Sequence, residues 1–160
     1  MAKAQKGKTS ASKAAVKGKT LRQTVTFEAS THEVYEMLID SKKHSAFTGG
    51  KAVISRKVGG AFSAFDGGLH GKNLELKADK KIMQAWRSDE ANWPETTFSR
   101  ATFTLKKLGK NRTELSFHQS GIPAACYADI KSGWHEYYWI PMKIAIAEAM
   151  ISEKKSAKKN

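Results

Sequence analysis

This 160-residue chain holds one cysteine, three prolines and no long apolar run. Each scarcity removes a class of protein. Cys126 alone cannot close an intrachain disulfide, so the fold has no disulfide framework, which fits a reducing, cytoplasmic setting. Apolar stretches are broken every few residues by Lys, Glu or Gly, far short of the roughly 20 residues a membrane-spanning helix needs. No apolar block precedes Val25, which argues against a secretory signal. The basic start matches a mitochondrial address poorly, having Lys in place of Arg and no amphipathic stripe.

Acid is also missing from the N-terminus. Residues 1–22 carry six Lys and Arg22, a charge of +7, and residues 151–160 carry four Lys and Glu153, a charge of +3. Only +3 of the chain's +13 therefore belongs to everything between. The stretch before Leu21 has Val16 as its only bulky apolar residue besides Met1, too little to offset chain entropy. Residues 1–21 are expected to form a disordered basic tail, residues 22–151 one folded domain, and residues 152–160 a second basic tail. The N-terminal tail would attract polyanions weakly by counterion release, without an aromatic residue to stack on bases.

From Leu21 the pattern alternates through Gln23, Val25 and Phe27, as in a strand. Ser30 and Glu33 then form a capping box ahead of a helix carrying Val34, Tyr35, Met37 and Leu38. Asp40 and Ser41 can cap a second short helix with Phe47, which Gly49-Gly50 should end. Six alternating segments follow (52–58, 61–65, 69–78, 82–87, 98–108 and 112–120), separated mostly by tight Gly, Asp or Asn turns that imply consecutive antiparallel pairing. The longest connection, Asp89 to Thr96, reads as a surface loop. After Gly121 the period becomes helical, with Tyr127, Ile130, Trp134, Tyr138, Met142 and Ala145 on one stripe. Pro141 lies inside this helix, where it cannot donate to the Tyr137 carbonyl, so a kink is expected there. An antiparallel sheet with a long helix across it is an α+β architecture.

Tests for chemistry mostly fail. His135-Glu136 lacks the second histidine of a zinc motif, because residue 139 is Trp. Asp66 to Asn73 has too few matches to a phosphate loop and reads as a hairpin turn. His70 and His118 have no carboxylate at a spacing that would orient either as a base. Cys126 lies near a helix start, where the dipole could lower its pKa, though packing is the commoner role of such a residue. Gly133, costly in a helix, suggests close approach of backbone to sheet. No catalytic set, metal site or cofactor site is read from the residues.

Four stretches resemble the activator of heat-shock protein 90 ATPase family: VGGAFSAFDGGLHGKNLEL (Val58–Leu76), DKKIMQAWR (Asp79–Arg87), TELSFHQSGIP (Thr113–Pro123) and GWHEYYWIPMK (Gly133–Lys143). They anchor a likeness from about Arg22 to Met150. It implies the helix-grip fold of the START and birch-pollen-allergen (SRPBCC) superfamily: a curved antiparallel sheet of about seven strands around a long C-terminal helix, with two short helices after the first strand. Full eukaryotic members carry a further N-terminal domain that contacts the chaperone, and nothing here corresponds to it, so a stand-alone domain is expected.

The resemblance opens two roles. Many relatives in the superfamily enclose a cavity between sheet and helix for an apolar ligand. Its expected lining here is Phe47, Phe62, Trp86, Phe103, Phe117, Trp134, Tyr138 and Met142, with Arg100 or Arg87 turned inward toward an acidic group. These rings would otherwise simply fill the core. The first expectation is a non-catalytic module for a small apolar ligand; the alternative is a protein that contacts a heat-shock protein 90 family chaperone. An enzyme of cyclase or dehydratase type is a distant third.

Overall fold

In the computed structural model, which describes residues 18–159, the first alternating segment is β1 (Lys19–Phe27). It begins inside the expected tail because Lys19 still pairs with Ile122. Residues 1–17 of that tail lie outside the described residues. The capping box forms as expected: Ser30 Oγ accepts the Glu33 N–H at 3.1 Å and Glu33 accepts the Ser30 N–H at 2.9 Å, opening α1 (Thr31–Ile39). Asp40 accepts the Lys43 N–H at 3.0 Å and caps α2 (Ser41–Thr48). Gly49 ends α2 at φ 82°, where an L side chain would be strained.

The strands β2 (Val53–Ile54), β3 (Ala61–Ala64), β4 (Leu69–Lys77), β5 (Lys81–Ser88), β6 (Ser99–Gly109) and β7 (Arg112–Ile122) join β1 in one antiparallel sheet. Its order is β1-β7-β6-β5-β4-β3-β2. β2 is much shorter than the alternation of residues 52–58 suggested. After Ile54 the chain leaves the ladder and wraps onto buried Asn73, whose Nδ2 donates to the carbonyls of Ser55 at 2.7 Å and Lys57 at 3.1 Å. The connection after β5 runs over the surface as expected, with one residue turned in. Trp93 folds inward against Trp86, with ring centroids 5.7 Å apart. Arg87 holds this loop by donating to the Glu95 and Trp93 carbonyls at 2.6 and 3.3 Å.

A 3₁₀ turn (Ala124–Cys126) leads to α3 (Tyr127–Trp134), a π-turn (His135–Trp139) and α4 (Ile140–Lys159). The irregularity expected at Pro141 is this π-turn. Proline cannot supply the N–H that would close an α-turn on Tyr137, and the ladder has already widened, with the Ile140 N–H donating to the His135 carbonyl. The extra residue brings Trp134 and Trp139 onto the same face, nearly parallel with centroids 5.5 Å apart. α4 continues through residues 152–159, read above as an irregular tail. Lys, Glu and Ala are good helix formers, and extending an existing helix requires no new nucleus. No helix among the described residues is long and apolar enough to cross a membrane. The architecture is the helix-grip fold.

Candidate functional site

Three aromatic residues of the helix are each tied to a polar partner. The Trp134 indole N–H donates to Gln119 at 2.8 Å, the Trp139 indole to Gln23 at 2.7 Å, and the Tyr138 hydroxyl pairs with His44 Nε2 at 2.9 Å. These bonds fix the ring orientations, and Phe103 and Phe117 of the sheet pack directly on Trp134 at 5.7 and 4.3 Å between centroids. The rings nearly fill the space between sheet and helix. A void of only about 10 Å³ remains among residues including His44, Phe62, Gln84, Phe103 and Tyr138. The expected enclosed cavity is therefore mostly occupied by the protein's own aromatic side chains.

Open space lies instead at the edge, in a half-open cleft of about 280 Å³ between the helix and the end of β5. Ile130, Gly133, Trp134, Tyr137 and Tyr138 form its helical wall. Phe65, Leu69 and Trp86 form the opposite wall, and Ser88, Glu90 and Asp129 supply its charged and hydroxyl groups. Gly133 thus borders open space rather than touching the sheet: a Cβ there would meet only the Tyr137 ring, at 3.7 Å. The expected close backbone approach is corrected accordingly.

Of the expected lining, Trp86, Trp134 and Tyr138 border this cleft, while Phe62 and Phe103 border only the small void. Phe117 and Met142 are buried in the core, and Phe47 is half-buried against His44 and Tyr138. Arg100 does not turn inward. It is exposed, because its neighbours Ser99 and Ala101 take the buried face of β6. Arg87 is buried, but committed to the 89–97 loop. Sequence reasoning missed Phe65, Leu69 and Tyr137. The first two flank a Gly-rich turn read only as a hairpin, and Tyr137 lies at the margin of the stripe read for the core, three residues after Trp134 and seven after Ile130.

Burial lowers the pKa of His44 to about 4, so its imidazole is neutral near pH 7, and its Nδ1 has no partner among the described residues. Burial likewise raises the Tyr138 hydroxyl well above its ordinary value. Burial, then hydrogen bonding and charge from Glu90, then charge from Asp129, push the Cys126 thiol up to about 11. The lowering suggested by a helix start is overturned: an unionised, buried thiol is a packing residue. His70 Nδ1 lies 4.0 Å from Asp89, beyond hydrogen-bond reach. No group of three His, Cys, Asp or Glu among the described residues is placed to hold a metal. A wider groove of about 550 Å³ between α1, α2 and α4 is ringed by glutamates, but Glu36 and Glu28 already pair with Arg56 and Arg112 at 2.7 and 3.3 Å.

A second surface feature lies on the helix itself. Tyr137, Ile140, Ile144 and Ile151 are each more than half exposed, at 52%, 53%, 53% and 55%, and recur at helical spacing along one side. Such an apolar stripe marks an interaction surface more often than chance.

The chain matches known proteins over most of its length. It is 35% identical over 145 residues to the human activator of 90 kDa heat shock protein ATPase homolog 1, covering 89% of this chain and 42% of that protein. With the homolog from Dictyostelium discoideum it shares 33% identity over 116 residues, 72% of this chain and 30% of the relative. The chain thus spans less than half the length of these curated relatives. A solved structure described as an HSP90 activator from Plasmodium falciparum shares the fold, with a TM-score of 0.76 and 22% identity over 81% of this chain and 97% of the other. The family model for Activator of Hsp90 ATPase homolog 1-like protein matches residues 28–145, and the chain belongs to that family.

Proposed function

We propose that this domain is a non-catalytic binding module whose partner is an ATPase of the heat-shock protein 90 family, acting in the cytoplasm. The observation that carries this reading is the 35% identity over 145 residues with a human protein named as an activator of that ATPase. The exposed stripe of Tyr137, Ile140, Ile144 and Ile151 supplies an apolar face for such a contact. The test is calorimetric binding of the full chain to the heat-shock protein 90 of its own organism, with ATPase rate measured alongside. Binding is expected, and Ile144→Asp should weaken it at least tenfold while leaving the folded chain as stable as before. Failure of the unaltered chain to bind would overturn the proposal.

The cleft favours a second reading, compatible with the first: it takes a small apolar molecule. Its volume of about 280 Å³ stands near the lower end of ligand pockets, which run from roughly 300 to 1,000 Å³. A small aromatic hydrocarbon such as tert-butylbenzene should shift the amide resonances around Gly133 and saturate. Absence of any shift would remove this reading without touching the first.

A further inference from the structure

We propose that the cleft selects apolar molecules carrying an alkylated ammonium group, quaternary ammonium above all, an inference that rests on the cleft's reading as a small-molecule site. The walls supply the first argument. Trp86, Trp134, Tyr137 and Tyr138 all border the space. An aromatic ring attracts a cation within roughly 6 Å of its centroid, and does so more strongly where water is excluded. The Trp134 indole N–H is directed to Gln119, which does not line the cleft.

Charge supplies the second. Glu90 and Asp129 belong to the lining, and no Lys or Arg does. Arg87 follows Trp86 in β5, but its guanidinium is held by the Trp93 and Glu95 carbonyls. Lys131 is exposed on α3 and outside the lining. The carboxylates act locally in other ways too, since both help to hold the Cys126 proton in place.

The alkylation follows from hydrogen-bond supply. A primary ammonium brings three N–H donors that need acceptors. The apolar walls offer none, the Glu90 carboxylate already accepts from Ser88 Oγ at 3.2 Å and from the Cys126 thiol, and Asp129, exposed to solvent, cannot by itself take three donors. A trimethylammonium group carries the same charge with no donor to leave unpaired, so its desolvation against aromatic faces is the smaller cost.

The test compares two probes of nearly equal shape, phenyltrimethylammonium and neutral tert-butylbenzene, titrated into the full chain while amide resonances of Gly68 and Gly133 are followed. Phenyltrimethylammonium should bind roughly tenfold more tightly, and the double variant Glu90→Gln, Asp129→Asn should erase most of that difference. Gly133→Leu, which fills the cleft from a position with room for a side chain, should remove both interactions while the rest of the spectrum stays native. Equal affinities for the two probes would overturn the charge selection and leave an apolar cleft standing. No response to either probe would overturn both, and full binding by a folded Gly133→Leu variant would place the ligand elsewhere and overturn the assignment.

Discussion

Trp134 and Gln119 meet in a hydrogen bond of 2.8 Å, the indole N–H donating to Oε1, with both side chains buried. Gln119 passes the connection on, its Nε2 donating to Ser99 Oγ at 2.9 Å, and Ser99 Oγ donates to the Trp86 carbonyl at 2.8 Å. One line of donors therefore runs from the helix through β7 and β6 to β5. Gln119→Leu keeps the volume close but leaves the Trp134 N–H without an acceptor. A loss of about 1–3 kcal/mol is expected, seen as a lower urea midpoint at unchanged slope. A neutral result would mean that water reaches Trp134.

Gly133 gives a prediction of opposite sign. It sits in α3 with space above it, and a Cβ would make an ordinary contact with Tyr137 at 3.7 Å. Gly133→Ala removes the entropic cost of glycine in a helix, so thermal and urea unfolding should show a gain of about 0.5–1 kcal/mol. Destabilisation would show that the backbone there is held closer to its neighbours than this geometry gives.

The fold was open to sequence reasoning wherever one local rule decided the outcome. Ser30 with Glu33, Asp40 with Lys43, and the alternation leading to Phe103 and Phe117 each reported their surroundings through period or cap chemistry. The cleft was only partly open to it. Trp86, Trp134 and Tyr138 follow from alternation and helical spacing, and Tyr137, three residues after Trp134 and seven after Ile130, flanks that stripe at ordinary helical spacing. Glu90 belongs to a loop that Trp93 draws inward, a tertiary event with no local signature. His44 was missed for a similar reason: one histidine in a weakly amphipathic helix gives no sign that Tyr138, 94 residues away, is its partner.

The basic N-terminus yields a prediction about charge alone. Residues 1–17 hold five Lys and no acid, and the domain between the tails is nearly balanced. Retention on a heparin column should fall steeply with salt and drop when residues 1–17 are deleted, since each lost Lys contact removes a released counterion. The shortened chain begins just ahead of β1 at Lys19, so its unfolding midpoint should stay unchanged. Undiminished retention by the shortened chain would assign the polyanion affinity to the domain.

His44 ties stability to pH. Its folded pKa is lowered by burial to about 4 from an ordinary 6.5, so between these values the unfolded chain binds a proton that the native chain does not. Stability from this group is fully present above pH 6.5 and is lost as the pH falls toward 4, amounting to about 3 kcal/mol across the window. The cause is geometric: the ring is held between Phe47 and Tyr138, at centroid distances of 5.1 and 5.2 Å, and among the described residues no carboxylate pairs with it to compensate an imidazolium. His118, lowered by burial and by the nearby Arg22, adds to the slope in the same direction. Replacing His44 by Gln keeps a hydrogen-bonding group facing the Tyr138 hydroxyl and removes the titration. Urea unfolding between pH 4 and 7 should then show a flatter profile for His44→Gln than for the unaltered chain, with the two converging toward low pH. Parallel profiles would mean that His44 is protonated in the native state, with a counter-charge or water meeting its Nδ1.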